Sequence, residues 1–211
     1  MNSSVGNTAR LLGAGLRALL VLTVLCGVLY PLATTGIAQA LFPDRAAGSE
    51  ITDGSGRVVG SSLIGQGYRD DLRYFQGRPA AGLGKNSANI QYELLLSGAS
   101  NKAADNPDLV ASVAETKAKV LADNTVPGFR PTPAQVPADA VTSSGSGLDP
   151  AISPEYAALQ AHRIADLNDL PLPKVEALVR AHTASRTLGF IGEPRVNVLE
   201  LNTALRDLTR S

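Results

Sequence analysis

The sequence predicts a single N-terminal transmembrane helix followed by one mixed α/β (α+β) extracytoplasmic domain. Three observations carry that expectation. Ala18 to Pro43 is a run of 26 residues without a charged side chain. Beyond it, helical and strand-like periodicities intermix, punctuated by strong cap and turn signals. The 168 residues after Pro43 suffice for one domain with a buried core.

The uncharged run comes first in the chain. A bilayer's hydrocarbon core takes about 20 apolar residues as helix, and Ala18 to Ala38 supplies that length. Only a helix satisfies every backbone group within one such segment. Arg10, Arg17 and the terminal amine precede the run, and Asp44 and Arg45 cancel after it. The positive-inside rule then places residues 1–17 in the cytoplasm, residues 18–38 in the membrane and residues 44–211 outside. Gly13, Gly15, Gly27 and Gly36 offer small surfaces for helix contact, although not at a clean four-residue period. Tyr30-Pro31 is expected to kink the helix, with neighbours satisfying the freed carbonyl. Gly27, Tyr30 and Pro31 are therefore the candidate contact residues within the membrane.

The same residues also describe a cleavable leader. Two arginines, a 12-residue apolar core, Pro31 and then Ala38-Gln39-Ala40 fit a secretory signal with an A-x-A site. Cleavage after Ala40 would release a secreted solute-binding or enzyme domain. The length of the apolar run favours the anchor, and either reading exports the bulk of the chain.

Composition narrows the function classes. Nineteen basic residues balance 19 acidic ones, which leaves no electrostatic footprint for nucleic acid. Aromatic residues make up 4% and tryptophan is missing, so base-stacking platforms and aromatic ligand cages are not expected. The single cysteine, Cys26, lies inside the apolar run, so the exported part has neither disulfide nor thiolate chemistry.

After the membrane segment, Glu50 to Val59 reads as a hairpin turning at Asp53-Gly54. Ser61–Gln66 and Tyr74–Pro79 read as extended segments or loops. Ile90–Leu96 fits strand or helix equally. Asn106-Pro107 opens a clear helix, as N-cap and first helical position. That helix should run to about Asn124, with Glu115 and Lys119 paired at i,i+4. A proline-rich connector follows at Pro127, Pro131, Pro133 and Pro137. Ser153-Pro154-Glu155 starts a second helix to about Asn168 that buries Ala158, Ala161, Ile164 and Ala165. A third covers roughly Pro173 to Ala184, with Val175, Leu178 and Val179 inward. Arg195–Leu199 alternates like a strand, and Asn202 is positioned to cap a short final helix through Leu208.

Catalytic motifs are scarce. His162 and His182 are the only histidines, each on an expected helix and each read as a packing or solvated side chain. No Cys/His cluster offers zinc ligands. Pro79 to Asn86 approaches a phosphate-binding loop, but Pro79 replaces its first glycine and Asn86 its magnesium-binding hydroxyl. The most unusual soluble stretch is Val141 to Pro150. Its residues Ser143, Ser144, Gly145, Ser146 and Gly147 are candidate cofactor-binding positions, as a nest of N–H groups for a nucleotide or other anion. The ordinary reading of the same residues is a self-hydrogen-bonded loop that buries its backbone, and it is preferred. No catalytic residue or metal ligand is assigned.

Several stretches in order resemble the KdpC family, the small accessory subunit of bacterial potassium-importing Kdp P-type ATPases. They are Val28–Leu32, Ser62–Gln66, Tyr74–Pro79, Gly98–Asn101, Val136–Asp139, Val141–Pro150 with Ile152–Pro154, and Gly192–Asn202. The sequence departs from the family's pattern at Ala80, at Ala151 and in Asn101–Pro107. The resemblance implies a retained helix in the bacterial plasma membrane with a large extracytoplasmic domain. It implies three partners: a potassium-translocating channel-like subunit, a P-type ATPase catalytic subunit and a small single-span subunit. It also implies a non-catalytic role that stabilises the complex and, as a catalytic chaperone, raises the ATP affinity of the pump subunit. The Asp-Lys-Thr-Gly motif that P-type pumps phosphorylate does not occur in this sequence. In the family the loop at Val141–Pro150 is likened to an ATP-binding-cassette signature, and ATP is the only cofactor implied. An extracytoplasmic loop would not meet cytosolic ATP.

Overall fold

The computed structural model describes residues 3–68, 71–80, 83–85, 93–95 and 97–210. The chain divides into two compact units, residues 1–50 and 51–211. The first is helical. Helix α1 (Ser3–Val24) passes through a π-helical turn (Leu25–Leu29) into α2 (Tyr30–Leu41), and a short α3 (Pro43–Ala46) follows. Val5–Leu41 is apolar and long enough to cross a membrane, and none of its most apolar window is buried. The helix therefore extends beyond both ends of the expected 18–38.

The wide turn has a local cause. Pro31 lacks an N–H, so the carbonyl four residues before it loses its ordinary α-helical donor. Just ahead, the Tyr30 N–H reaches back five residues to the Leu25 carbonyl. The Thr34 hydroxyl lies 3.0 Å from the carbonyls of both Tyr30 and Pro31. These bonds are local to the helix, and none of them reaches the Gly27 carbonyl that Pro31 leaves without its donor.

The second unit opens on a hairpin, β1 (Glu50–Thr52) paired with β2 (Val58–Ser61). Asp53 closes its turn. Its carboxylate accepts from the Ser55 N–H and hydroxyl and from the Arg57 N–H, while Gly56 takes a positive φ of 78°. Strands β3 (Leu83–Lys85) and β4 (Glu93–Leu95) form an antiparallel pair, with Leu83 opposite Leu95. The ambiguous Ile90–Leu96 is therefore strand over Glu93–Leu95, and 90–92 and 96 lie outside the described residues. Lys85 of the phosphate-loop-like stretch sits in β3, while 81, 82 and 86 are also outside them.

Helix α4 (Pro107–Asp123) begins at Asn106, whose side chain accepts from the N–H groups of Asp108 and Leu109. Lys119 pairs with Asp123 at 2.8 Å rather than with the expected Glu115, placing the cation toward the helix C-terminus. The proline-rich connector carries two 3₁₀ turns, Pro133–Gln135 and Ala138–Ala140. Strand β5 (Ala151–Ile152) leads into α5 (Pro154–Leu167), capped by Ser153. Ala158 is exposed, contrary to expectation, and Ala157 is fully buried in its place. The buried face of α5 includes Gln160 and Arg163, so hydrophobicity alone misplaced its centre.

Helix α6 (Leu172–Ala181) ends three residues earlier than expected, because Thr183–Ala184 forms β6. Strand β7 (Arg195–Asn197) is central in a three-stranded antiparallel sheet, with Val196 opposite both Ile152 and Thr183. It is shorter than expected, since α7 (Val198–Arg210) starts directly from it. The cap is Asn197, whose side chain accepts from Leu199 and Glu200 N–H, and not Asn202. Helix α5 packs on α6, α6 on α7, and β7 touches α5 and α7. Phe75, Ile164, Val175, Val196 and Leu201 lie at the centre of that core with no exposed surface.

Candidate functional site

The stretches singled out in the sequence meet one another in the second unit. Tyr74–Pro79 has irregular backbone, yet Phe75 is fully buried. Buried backbone needs hydrogen-bond partners, and side-chain amides supply them. Asn202 of α7 accepts from the Phe75 N–H at 2.8 Å and donates to its carbonyl at 2.9 Å. Gln160 of α5 does the same for Gln76, at 2.7 and 3.0 Å. Two buried amides thus stand where a strand partner would.

Arg163 completes this layer. It is 1% exposed and donates to Asn124 Oδ1 at 3.0 Å, to Gln160 Oε1 at 2.7 Å, and to the carbonyls of Leu72 and Tyr74. Burial pushes its pKa down to about 10, so it remains a cation at neutral pH. A cavity of about 180 Å³ lies beside it, lined by Gln76, Pro79, Lys119, Asp123 and Tyr156 among others. Small-molecule pockets usually span about 300–1,000 Å³, so this one is small for a nucleotide.

The Ser143–Gly147 loop lies at the other end of the Tyr74–Pro79 segment. Ser144 is buried, and its N–H donates to the Pro79 carbonyl at 2.9 Å. Its hydroxyl accepts from the N–H groups of Gly147 and Asp149, at 3.1 and 3.3 Å, and lies 3.0 Å from the Ser146 hydroxyl. Ser146 in turn accepts from the Leu148 N–H. The N–H groups of Gly147, Leu148 and Asp149 are thus directed at the loop's own hydroxyls, and that of Ser144 at Pro79. Gly145 and Ser146 remain exposed, Ser143 is half-buried, and Gly147 is buried with a φ of 72°.

Neighbouring segments hold this loop from several sides. The Leu148 carbonyl accepts from Gly65 N–H, and the Ser146 carbonyl from Gly98 N–H, each at 2.8 Å. Arg78 pairs with Asp149 at 3.0 Å and reaches the carbonyls of Thr142 and Ser143. Asp139 accepts from the Ser153 N–H and hydroxyl at 2.7 and 2.9 Å, tying the connector to the start of α5. Asn197 donates to the Ser62 carbonyl at 2.8 Å. His162 stacks on Phe129 with ring centres 3.7 Å apart, and His182 Nδ1 lies 2.9 Å from the Leu178 carbonyl. Reading from sequence missed Gln160, Arg163 and Asn202 as the residues that order this region. Their polarity on otherwise apolar helix faces was the available signal.

Gly27, Tyr30 and Pro31 lie in the first unit, within or beside the π turn. Tyr30 is 68% exposed, and a methyl group at Gly27 would meet only Thr23, at 3.9 Å. Residues 5–37 of this helix are exposed.

Comparison with known proteins finds a family-model match over residues 12–207, described as KdpC, the c chain of K⁺-transporting ATPase. A Streptomyces avermitilis protein named potassium-transporting ATPase KdpC subunit is 63% identical, over 99% of this chain and 98% of that one. Its namesake from Streptomyces coelicolor is 61% identical over 99% and 97% of the two chains. One from Citrifermentans bemidjiense is 46% identical over 88% and 91%.

Proposed function

The chain belongs to the KdpC family, and from that premise we propose that it is the membrane-tethered, non-catalytic subunit of an ATP-driven potassium importer. One observation carries this reading most strongly. The family match begins at residue 12, inside the apolar helix, and continues through the domain to residue 207. A helix included in the family's pattern supports a retained anchor over a leader removed after Ala40.

In this reading the N-terminus is cytoplasmic, the helix crosses the plasma membrane once, and residues 51–211 are extracytoplasmic. The partners are the channel-like potassium-translocating subunit, the P-type ATPase subunit that carries the phosphorylated aspartate, and the small single-span subunit. Any increase in the pump's ATP affinity would pass through those partners. The inward-directed donors of the Ser144 loop support a structural role there over nucleotide binding.

Co-expression with the other subunits and purification in mild detergent test the proposal. The chain is expected to co-elute with them, and its omission to abolish potassium-stimulated ATP hydrolysis. A chain that elutes alone, with hydrolysis unaffected by its omission, would overturn the proposal. A mature protein beginning at Leu41 would instead favour the secreted form.

A further inference from the structure

Helix α7 carries an arginine whose N–H groups are poorly matched. Arg206 Nη2 lies 3.5 Å from Asp53 Oδ2, long for a hydrogen bond. Its Nε and Nη2 are buried and have no hydrogen-bond partner among the described residues. Asp53 is already engaged. The same oxygen accepts from Arg57 Nε and Nη2 at 3.2 and 3.0 Å, and the other accepts from the Ser55 hydroxyl. Leaving buried donors of a cation unmatched is costly, so a group of this kind calls for an explanation.

Nε and Nη2 form the edge of a guanidinium that matches a carboxylate through two parallel bonds. Arg73 presents that edge to Asp71 at 2.9 and 2.7 Å, and Arg57 presents it to Asp53. Beside Arg206 lies a cavity of about 470 Å³, within the usual range of small-molecule sites. Arg57, Gln66, Tyr68 and Tyr74 line it together with Arg206, and no acidic side chain does so among the described residues. The rings of Tyr68 and Tyr74 stand 5.3 Å apart. Burial pushes the Tyr68 phenol's pKa up, so it stays a neutral O–H donor. Val59 and Leu199 give the same cavity an apolar side.

We propose that this cavity binds a carboxylate with a short apolar body, held by Arg206 and by the polar groups of Gln66, Tyr68 and Tyr74. The Arg206 side chain is 23% exposed and lines the cavity, so a turn of its guanidinium brings the fork edge to the ligand. Asp53 loses little by that turn, because Ser55 and Arg57 still hold it. One under-used arginine among neutral donors suits a single planar negative charge better than a multiply charged phosphate. A free organic acid and an acidic side chain of another subunit present the same group. Binding of the free acid is independent of the subunit role given above.

The test titrates the full chain in mild detergent with butyrate at fixed ionic strength, and with butyramide as the neutral control. Tyrosine fluorescence reports binding, since the chain has no tryptophan to mask it. Butyrate should give a saturable change and butyramide none. Arg206→Gln should weaken the response about tenfold or more, and Tyr68→Phe, which keeps the ring, about fivefold. In the assembled pump, zero-length carbodiimide coupling of the Arg206→Lys variant tests the second source. An amide bond to an acidic residue of another subunit would identify a side chain as the occupant. Either that bond or a butyrate response lost in Arg206→Gln supports the site. An equal response in folded Arg206→Gln overturns it, as does no response together with coupling to Asp53 alone. If the chain does not co-purify with the other subunits, the subunit role fails and the butyrate titration alone decides the site.

Discussion

Asn202 shows how a single side chain decides the packing of a segment far away in sequence. Its position just after an alternating stretch suggested a helix cap, but its amide pairs with both backbone groups of Phe75. Position alone could not separate the two roles. Asn197 and Asn202 are equally able to cap, and only the needs of a buried strand-like segment distinguish them. Asn202→Ala leaves a buried N–H and carbonyl unpaired and should destabilise the domain by about 3 kcal/mol. That corresponds to a melting-temperature fall of roughly 6–12 °C for the full chain in detergent. A fall of under about 2 °C would show that the pairing contributes little. Asp53 allows a second test. The Ser55 hydroxyl, then the Arg57 N–H, hold its carboxyl well below its ordinary pKa of 3.8. A depressed folded pKa contributes stability that is present above the ordinary pKa and is lost as pH falls below it. Melting temperature should therefore drop with acidification below about pH 4, and Asp53→Asn should flatten that drop. An unchanged acid profile would assign the sensitivity to other carboxylates.

At the scale of elements, the strong local signals were legible. Asn106-Pro107 and Ser153-Pro154 start helices because cap and proline act within one turn. The hairpin at Asp53 follows from turn chemistry that is equally local. Boundaries set by tertiary pairing were not legible. Thr183–Ala184 leaves its helix because β7 offers it a partner, and β7 gives way to α7 once Asn197 caps it. The Ser143–Gly147 loop was recognisable as unusual, but where its N–H groups point depends on Pro79, Gly65 and Gly98 folding around it. Ser144→Ala should speed hydrogen exchange at the Gly147 and Asp149 amides, whose acceptor it removes, whereas Gly145→Ala should not. Equal exchange in the two variants would remove Ser144 from the centre of the loop. Gly65→Ala tests the neighbouring contact, because a Cβ there would stand 2.6 Å from the Asp149 carbonyl oxygen. That overlap involves backbone on both sides, so a loss of about 1–3 kcal/mol is expected in thermal unfolding. A neutral substitution would mean that the two segments separate easily.

At the scale of the molecule, the apolar helix sets the frame. Its 37 residues from Val5 to Leu41 are about 55 Å long, against a hydrocarbon core of about 30 Å. Arg10 and Arg17 lie in its first half, so the charge-free stretch from Ala18 onward is the part suited to lipid. This much was readable from composition, since bilayer thickness and the cost of buried charge act on sequence directly. The extracytoplasmic placement proposed for the domain rests on a difference of only a few charges, and one labelling experiment tests it. Cysteine is placed at the exposed Gly145, where a side chain meets nothing within 4 Å, in a chain carrying Cys26→Ala. A membrane-impermeant maleimide should label it in intact right-side-out cells, and in sealed inside-out vesicles only after detergent is added. Labelling of sealed inside-out vesicles, with intact cells unreactive, would place the domain beside cytosolic ATP and contradict the tethered, extracytoplasmic subunit proposed above.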